Sequence, residues 1–172
     1  MNIQYKTITL RAFEPEDVDR LYAWENDPES WRVSNIHAPL SKHNLVRYVE
    51  ASHRDIWESK EMRLMIENAD KKPVGTVELF DFDPYHSRAG VGIMIYNKKE
   101  RRKGNAGLAL EALSLYARNE LGIFQLYANV SDSNKASVNL FRKNGFEVTG
   151  VKTKWLRTPG GREDEILMQK VL

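Results

Sequence analysis

Arg101, Gly104 and Ala106 stand at R-x-x-G-x-A spacing where a basic run meets a helix-forming stretch, in "NKKERRKGNAGLALEAL" (97–113). Small residues at a helix N-terminus let backbone amides come close to an anion. Lys98, Lys99, Arg101, Arg102 and Lys103 crowd the same approach, although a helix start ordinarily favours acidic side chains. The arrangement suits a multiply charged phosphate group, with the cations adding Coulomb attraction. Two other phosphate loops do not fit. The chain has no G-x-x-x-x-G-K-[ST] string, and Arg102 stands where G-x-G-x-x-G needs its first glycine. The bland alternative is a solvated basic loop with no ligand.

Glu78 is a second candidate, in "TVELFDF", where Thr76, Glu78 and Phe80 share one strand face. A carboxylate there either relays a proton through water or faces solvent and pairs with a neighbouring cation. Asp81 and Asp83 suit the turn before Pro84. Asn134 opens a helix, where an asparagine also serves as an N-cap. The chain has no cysteine, which removes disulfides, thiolate metal ligands and cysteine nucleophiles together. Its histidines, His37, His43, His53 and His86, show no H-E-x-x-H spacing, and no metal is expected.

The elements that must position these residues follow from periodicity and punctuation. "ITLRAF" (8–13) alternates as a strand, and Pro15 with acidic neighbours opens a helix through "EPEDVDRLYAWEND". Ser41 caps a second helix over 41–57. Strands are expected at 62–69, 73–83 and 88–96, a helix at 106–119, a strand at 124–130 and a helix at 134–146 stopped by Gly145. In the 106–119 helix Glu111, Ser114 and Arg118 form the expected exposed stripe. Two last strands, "FEVTGVKTKWLR" and "EDEILMQKVL", flank the turn "TPGG". The sum is an α/β (α+β) fold, a mixed and mostly antiparallel sheet of about seven strands with about four helices, in one domain spanning 1–172.

Composition limits the function classes. Net charge is +2, so the basic run is local on a nearly balanced chain, which argues against a nucleic-acid partner resting on many phosphate contacts. No apolar stretch reaches the roughly 18–20 residues of a membrane span. The start of the chain lacks the profile of a secretory leader. The expected location is cytoplasmic.

Three motifs together resemble the GNAT N-acetyltransferase superfamily over nearly the whole chain. They are the R/Q-x-x-G-x-G/A loop above, "LRAFEPEDVDRLYAWEND" against an "LR…D…L…W.N" pattern, and "NKASVNLFRKNGF" against "N..S..L[FY].K.GF". The likeness is closest to the branch of spermidine acetyltransferases and ribosomal-protein N-terminal acetyltransferases. It implies an acetyl-CoA-dependent N-acetyltransferase acting on a primary amine: a peptide N-terminus, a polyamine or another small amine. The alternative is an acyl-CoA-binding protein of the same fold without transferase activity.

Residue by residue, the resemblance implies that Ile93, Met94, Ile95 and Tyr96 meet the pantetheine arm, the backbone amide near Ile95 polarising the thioester carbonyl. Arg101, Arg102 and Lys103, then Gly104, Asn105, Ala106 and Gly107, would take the pyrophosphate. Asn134 matches an asparagine that contacts the pantetheine arm, and Glu78 is the candidate base. Many relatives carry a tyrosine that protonates the departing thiolate; here that position is Phe141, which has no proton to give. With no cysteine for an acyl-enzyme, transfer is expected to be direct, in a ternary complex. The acceptor pocket is expected to involve the N-terminal helices, the 78–86 region and the 157–163 turn. Glu25, Asp27, Glu29, Glu78 and Asp83 are its acidic candidates. Family members are often dimers, which allows a homodimer here.

Overall fold

The computed structural model describes residues 2–31 and 38–172, so His37 lies outside it. Among the described residues, one sheet carries eight strands: β1 (Ile3–Tyr5), β2 (Ile8–Arg11), β3 (Met62–Glu67), β4 (Pro73–Asp83), β5 (Arg88–Ile95), β6 (Gln125–Ser131), β7 (Glu147–Thr158) and β8 (Gly161–Val171). Their spatial order is β1-β2-β3-β4-β5-β6-β8-β7. Neighbours are antiparallel except β5 and β6, which run parallel. The strand beyond the expected seven is β1. It has three residues, too few to show an alternation, and it is defined by its pairing with β2.

The helices are α1 (Val18–Glu25), α2 (Pro28–Trp31), α3 (Lys42–Ala51), α4 (Ile56–Ser59), α5 (Asn105–Asn119) and α6 (Lys135–Lys143). The single helix expected over 41–57 is two. The Ser52 hydroxyl donates to the Val49 carbonyl at 2.6 Å and ends α3. Asp55 then caps α4, accepting the Trp57 N–H at 2.8 Å. Ser41 caps α3 as its sequence predicts, accepting from the Asn44 N–H at 3.1 Å.

Two apolar layers sandwich the sheet. Leu64 and Ile66 join Val77, Val91, Leu110, Leu113 and Phe141 in the larger core, whereas Met65 joins Phe13, Leu21, Leu45 and Val49 in the smaller one. Successive strand residues point to opposite faces, so α5 and α6 cover one face while α1 and α3 cover the other. Ser114 is a correction to the expected exposed stripe of α5. It is buried and accepts from Lys170 Nζ at 3.3 Å, and Leu115 is the residue turned outward.

The "LR…D" motif ties the smaller layer together. Arg11 of β2 grips Asp17 at 2.6 and 3.0 Å and Glu67 of β3 at 2.6 Å. Asp17 is 2% exposed and also accepts the Glu14 N–H at 3.0 Å. A buried carboxylate persists when it is paired and hydrogen-bonded in this way.

The parallel contact between β5 and β6 covers only Arg88 to Gly90 against Gln125 to Tyr127. Beyond Gly90 the two strands part, β5 staying with β4 and β6 with β8. The result is a wedge-shaped opening in the middle of the sheet.

Candidate functional site

The basic run ends at the mouth of that wedge. Residues 98–100 form a 3-10 turn, Arg102 adopts φ +63° and Gly104 adopts φ +89° before α5 begins. A Cβ on Gly104 would meet nothing within 4 Å, so its glycine serves the left-handed backbone and not a tight contact. The first intrahelical bond of α5 runs from Leu108 N–H to the Gly104 carbonyl at 3.1 Å. The amides of Asn105, Ala106 and Gly107 therefore have no partner within the helix, and they face the cationic loop.

Glu100 shapes this loop from inside. It takes Lys103 at 2.9 Å, Asn105 Nδ2 at 3.3 Å and Asn68 Nδ2 at 3.4 Å. The Lys103 hydrogen bond holds its carboxyl below the ordinary glutamate range. Lys98 is spent on Glu29 at 2.7 Å.

The wedge exposes a strand edge. Tyr96 N–H donates to the Val74 carbonyl at 3.1 Å, so it points towards β4. Backbone groups alternate along a strand, which directs those of Val91, Ile93 and Ile95 into the opening. Arg101 Nε donates to the Ile95 carbonyl there at 2.9 Å. One side chain thus fastens the basic loop to the end of β5. The exposed edge can accept an extended amide-bearing ligand by strand addition, with its anionic end at α5.

Glu78 lies on the α1–α3 face, opposite Arg63 in β3 and Gly92 in β5. A Cβ on Gly92 would come within 2.6 Å of Glu78 Oε1, so the bare glycine is the floor on which this carboxylate rests. Arg63 Nε stands 3.6 Å from Glu78 Oε2. Burial pushes the Glu78 carboxyl above its ordinary range, and Arg63 opposes that push. The side chain keeps 42% of its surface, so solvent screening limits the net effect.

Behind Glu78 lies a packed polar cluster. Arg63 Nη2 donates to Glu25 Oε1, to Tyr96 Oη at 2.9 Å and to Thr76 Oγ1 at 3.1 Å. Tyr96 Oη donates in turn to Glu25 Oε1 at 2.9 Å. The Tyr96 ring stacks on Trp24 with centroids 4.8 Å apart and planes 4° from parallel. Consecutive residues of α1 therefore clamp the residue that follows the open edge of β5.

Other expected site residues have evident structural roles. Asn134 is the N-cap of α6, its Oδ1 accepting the Ser137 N–H at 3.1 Å. Phe141 is 4% exposed and meets Phe146 edge-on at 5.0 Å. The α6 terminus closes with Phe146 N–H on the Phe141 carbonyl and Gly145 N–H on the Arg142 carbonyl, each at 3.0 Å, with Gly145 at φ +84°. This is a Schellman closure with its hydrophobic contact.

Arg63, Thr76 and the Tyr96 hydroxyl were missed as a unit, although one signal was available. Arg63 is a charge within the otherwise apolar "MRLMI" strand, and a cation there needs a partner.

The acetyltransferase (GNAT) domain profile matches residues 7–147. The spermidine N(1)-acetyltransferase of Escherichia coli K12 is 27% identical over 144 residues, 84% of this chain and 75% of that one. Among solved structures, spermidine N-acetyltransferase from Vibrio cholerae in complex with CoA and spermine superposes with a TM-score of 0.82 at 25% identity, covering 96% of each chain. RimL, a ribosomal L7/L12 alpha-N-protein acetyltransferase in complex with coenzyme A, gives 0.87 at 18% identity, covering 100% of this chain and 98% of that one. That second likeness is one of fold.

Proposed function

The chain belongs to the acetyltransferase (GNAT) family and is an N-acetyltransferase; we propose that it passes an acetyl group from acetyl-CoA directly to a primary amine in a ternary complex, with Glu78 taking up the amine's proton through water. The observation that carries this reading is the open edge of β5 ending beside the α5 amides. An acyl-CoA is an amide-bearing arm joined to a pyrophosphate, and the two features match its two parts. When bound, it supplies the acetyl group as a thioester.

The residues then divide the work. Val91, Ile93 and Ile95 offer backbone groups to the arm, and the Ile95 amide is the donor for the thioester oxygen. Arg101 to Gly107 hold the pyrophosphate, largely through backbone amides. The amine nitrogen bonds to the acetyl carbon as the carbon–sulfur bond breaks, and its proton leaves towards Glu78. With Phe141 in the core, the departing thiolate takes its proton from solvent. No cysteine is present to carry an acyl group.

The charges narrow the acceptor. Glu25 is held by Arg63, Glu29 by Lys98, and Asp83 by His86 and Arg88. Asp27 accepts the Glu29 N–H at 2.9 Å. Among the acidic candidates with a cationic partner, Glu78 keeps the loosest, at 3.6 Å. Most of these candidates already have cationic partners, which favours a single amine beside Glu78 over a polyamine spread across them. A peptide α-amino group, with a reference pKa of about 7.7–8.0, also needs less help in losing its proton than an alkyl ammonium near 10.4.

The test compares initial rates with short peptides bearing free N-termini against spermidine. The proposal expects intersecting lines and a kcat/KM at least about tenfold higher for a peptide. Parallel lines would overturn direct transfer, and a preference for spermidine would overturn the acceptor class.

A further inference from the structure

Arg63 brings its Nε within 3.6 Å of Glu78 Oε2, while its Nη2 is committed to Glu25, Tyr96 and Thr76. We propose that Arg63 is a positioning residue for Glu78, and that buried Glu25 decides how much of the Arg63 charge is left for it. The proposal rests on Glu78 as the proton acceptor and supplies the arrangement that would set its behaviour.

Arg63 and Glu78 are a cross-strand pair, directly opposite in β3 and β4. Side chains in such pairs interact. The guanidinium has little freedom. Nη2 serves Glu25, Tyr96 and Thr76, Nε also reaches Thr76 Oγ1 at 3.3 Å, and the Phe13 ring centre lies 6.0 Å from its central carbon. Nε then sits 3.6 Å from Glu78 Oε2. That is beyond a good hydrogen bond and well within strong Coulomb range. Gly92 leaves Glu78 room beneath, so the cation beside it is the feature that orients its carboxylate.

The groups bearing on Glu78 come from each element packed around it. Arg63 on β3 brings the positive charge, while Glu25 on α1 and Glu61 just before β3 bring negative charge. Tyr48 of α3 and Tyr96 after β5 are phenols that burial pushes above their ordinary range, so both are neutral here. Glu25 is 1% exposed and accepts a hydrogen bond from Arg63 Nη2. The cation is therefore shared with a buried carboxylate behind it. Glu78 remains the carboxylate with charge to spare, which is what a proton acceptor near neutral pH requires.

The experiment is a pH titration of the Glu78 side-chain carboxyl carbon by NMR, in the free protein with labelled glutamate. Glu78→Gln identifies the signal by its loss. Glu25→Gln removes a nearby negative charge and frees Arg63 to turn fully to Glu78, so the midpoint is expected to fall by about one unit. Arg63→Met removes the cation, and the midpoint is expected to rise by about one unit. Arg63→Met leaves Glu25 buried without its partner and can fail to fold. The double variant Glu25→Gln/Arg63→Met avoids that orphan, and its midpoint is expected to rise above that of Glu25→Gln alone. A Glu25→Gln midpoint that stays put or rises would overturn the proposal. So would a failure of Arg63 removal to raise the midpoint in either background. Because no substrate is present, this result is independent of whether Glu78 accepts the proton in turnover. That reading fails separately, if Glu78→Gln retains full activity.

Discussion

Glu78 rests on Gly92: a Cβ at Gly92 would lie 2.6 Å from Glu78 Oε1 and 3.0 Å from its Cγ. The contact joins the candidate base to the strand whose free edge forms the wedge. The group displaced by a methyl would be the far end of a flexible side chain, so the backbone has no need to move. Gly92→Ala is expected to leave the melting temperature within about 2 °C and acetyl-CoA affinity unchanged. Turnover should fall about tenfold to a hundredfold, a part of what a misplaced base loses. Calorimetry and steady-state rates on one preparation check this. Unchanged turnover would remove Glu78 from the mechanism.

Phe141 is the next position with a clear outcome. It sits at 4% exposure inside the α6 closure with Phe146. Phe141→Ala is expected to cost about 3–5 kcal/mol of stability. Phe141→Tyr adds a hydroxyl in an apolar setting and is expected to cost about 1–3 kcal/mol, while turnover per folded molecule stays within about tenfold. Urea unfolding and rates at low temperature separate the two effects. A Phe141→Tyr variant that folds and binds acetyl-CoA but turns nothing over would show that this side chain reaches the reacting atoms.

Asp17 carries the acid sensitivity of the smaller layer. Burial alone would raise its carboxyl, but hydrogen bonds from Arg11 and the Glu14 N–H, with the Arg11 and Arg20 charges, hold it below the ordinary range. A carboxyl lowered on folding adds stability that is fully present above its unfolded pKa of about 3.9 and is lost as pH falls through the folded value. Asp17→Asn is therefore expected to cost about 3 kcal/mol near neutral pH, and the gap from the parent should close below about pH 4. Urea midpoints from pH 7 to pH 2 check it. A gap that stays constant to pH 2 would contradict the assignment.

Much of this fold is legible in the residue pattern, because alternation along β3 to β6 and the apolar faces of α1, α3 and α5 are local signals. The break between α3 and α4 is not, since the Ser52 and Asp55 side chains decide it through single hydrogen bonds within a run that otherwise reads as helix. Ser114 departs from its expected exposure for a related reason. A small polar residue on a helix looks exposed until a long side chain reaches it, here Lys170 from 56 residues away.

The turn into α5 reads well from sequence, since Gly104 answers to backbone geometry that glycine adopts without strain. The polar cluster does not. Arg63 meets Glu25 across 38 residues and Tyr96 across 33, and Tyr96 meets Glu25 across 71. No spacing rule joins residues that only the sheet brings together. Glu25 accordingly reads as an acidic candidate for the acceptor pocket until β3 and β5 are set beside α1, where it pairs with Arg63 and Tyr96.

The most direct measurement of the central claim is release of CoA thiol from acetyl-CoA over a panel of peptide N-termini, polyamines and small amines. The chain contains no cysteine, so every thiol detected comes from the cofactor. The account predicts amine-dependent thiol release, matched mole for mole by acetylated amine in the mass spectrum. Tight acetyl-CoA binding with no amine-dependent release from any acceptor would contradict it, leaving an acyl-CoA-binding protein of the same fold.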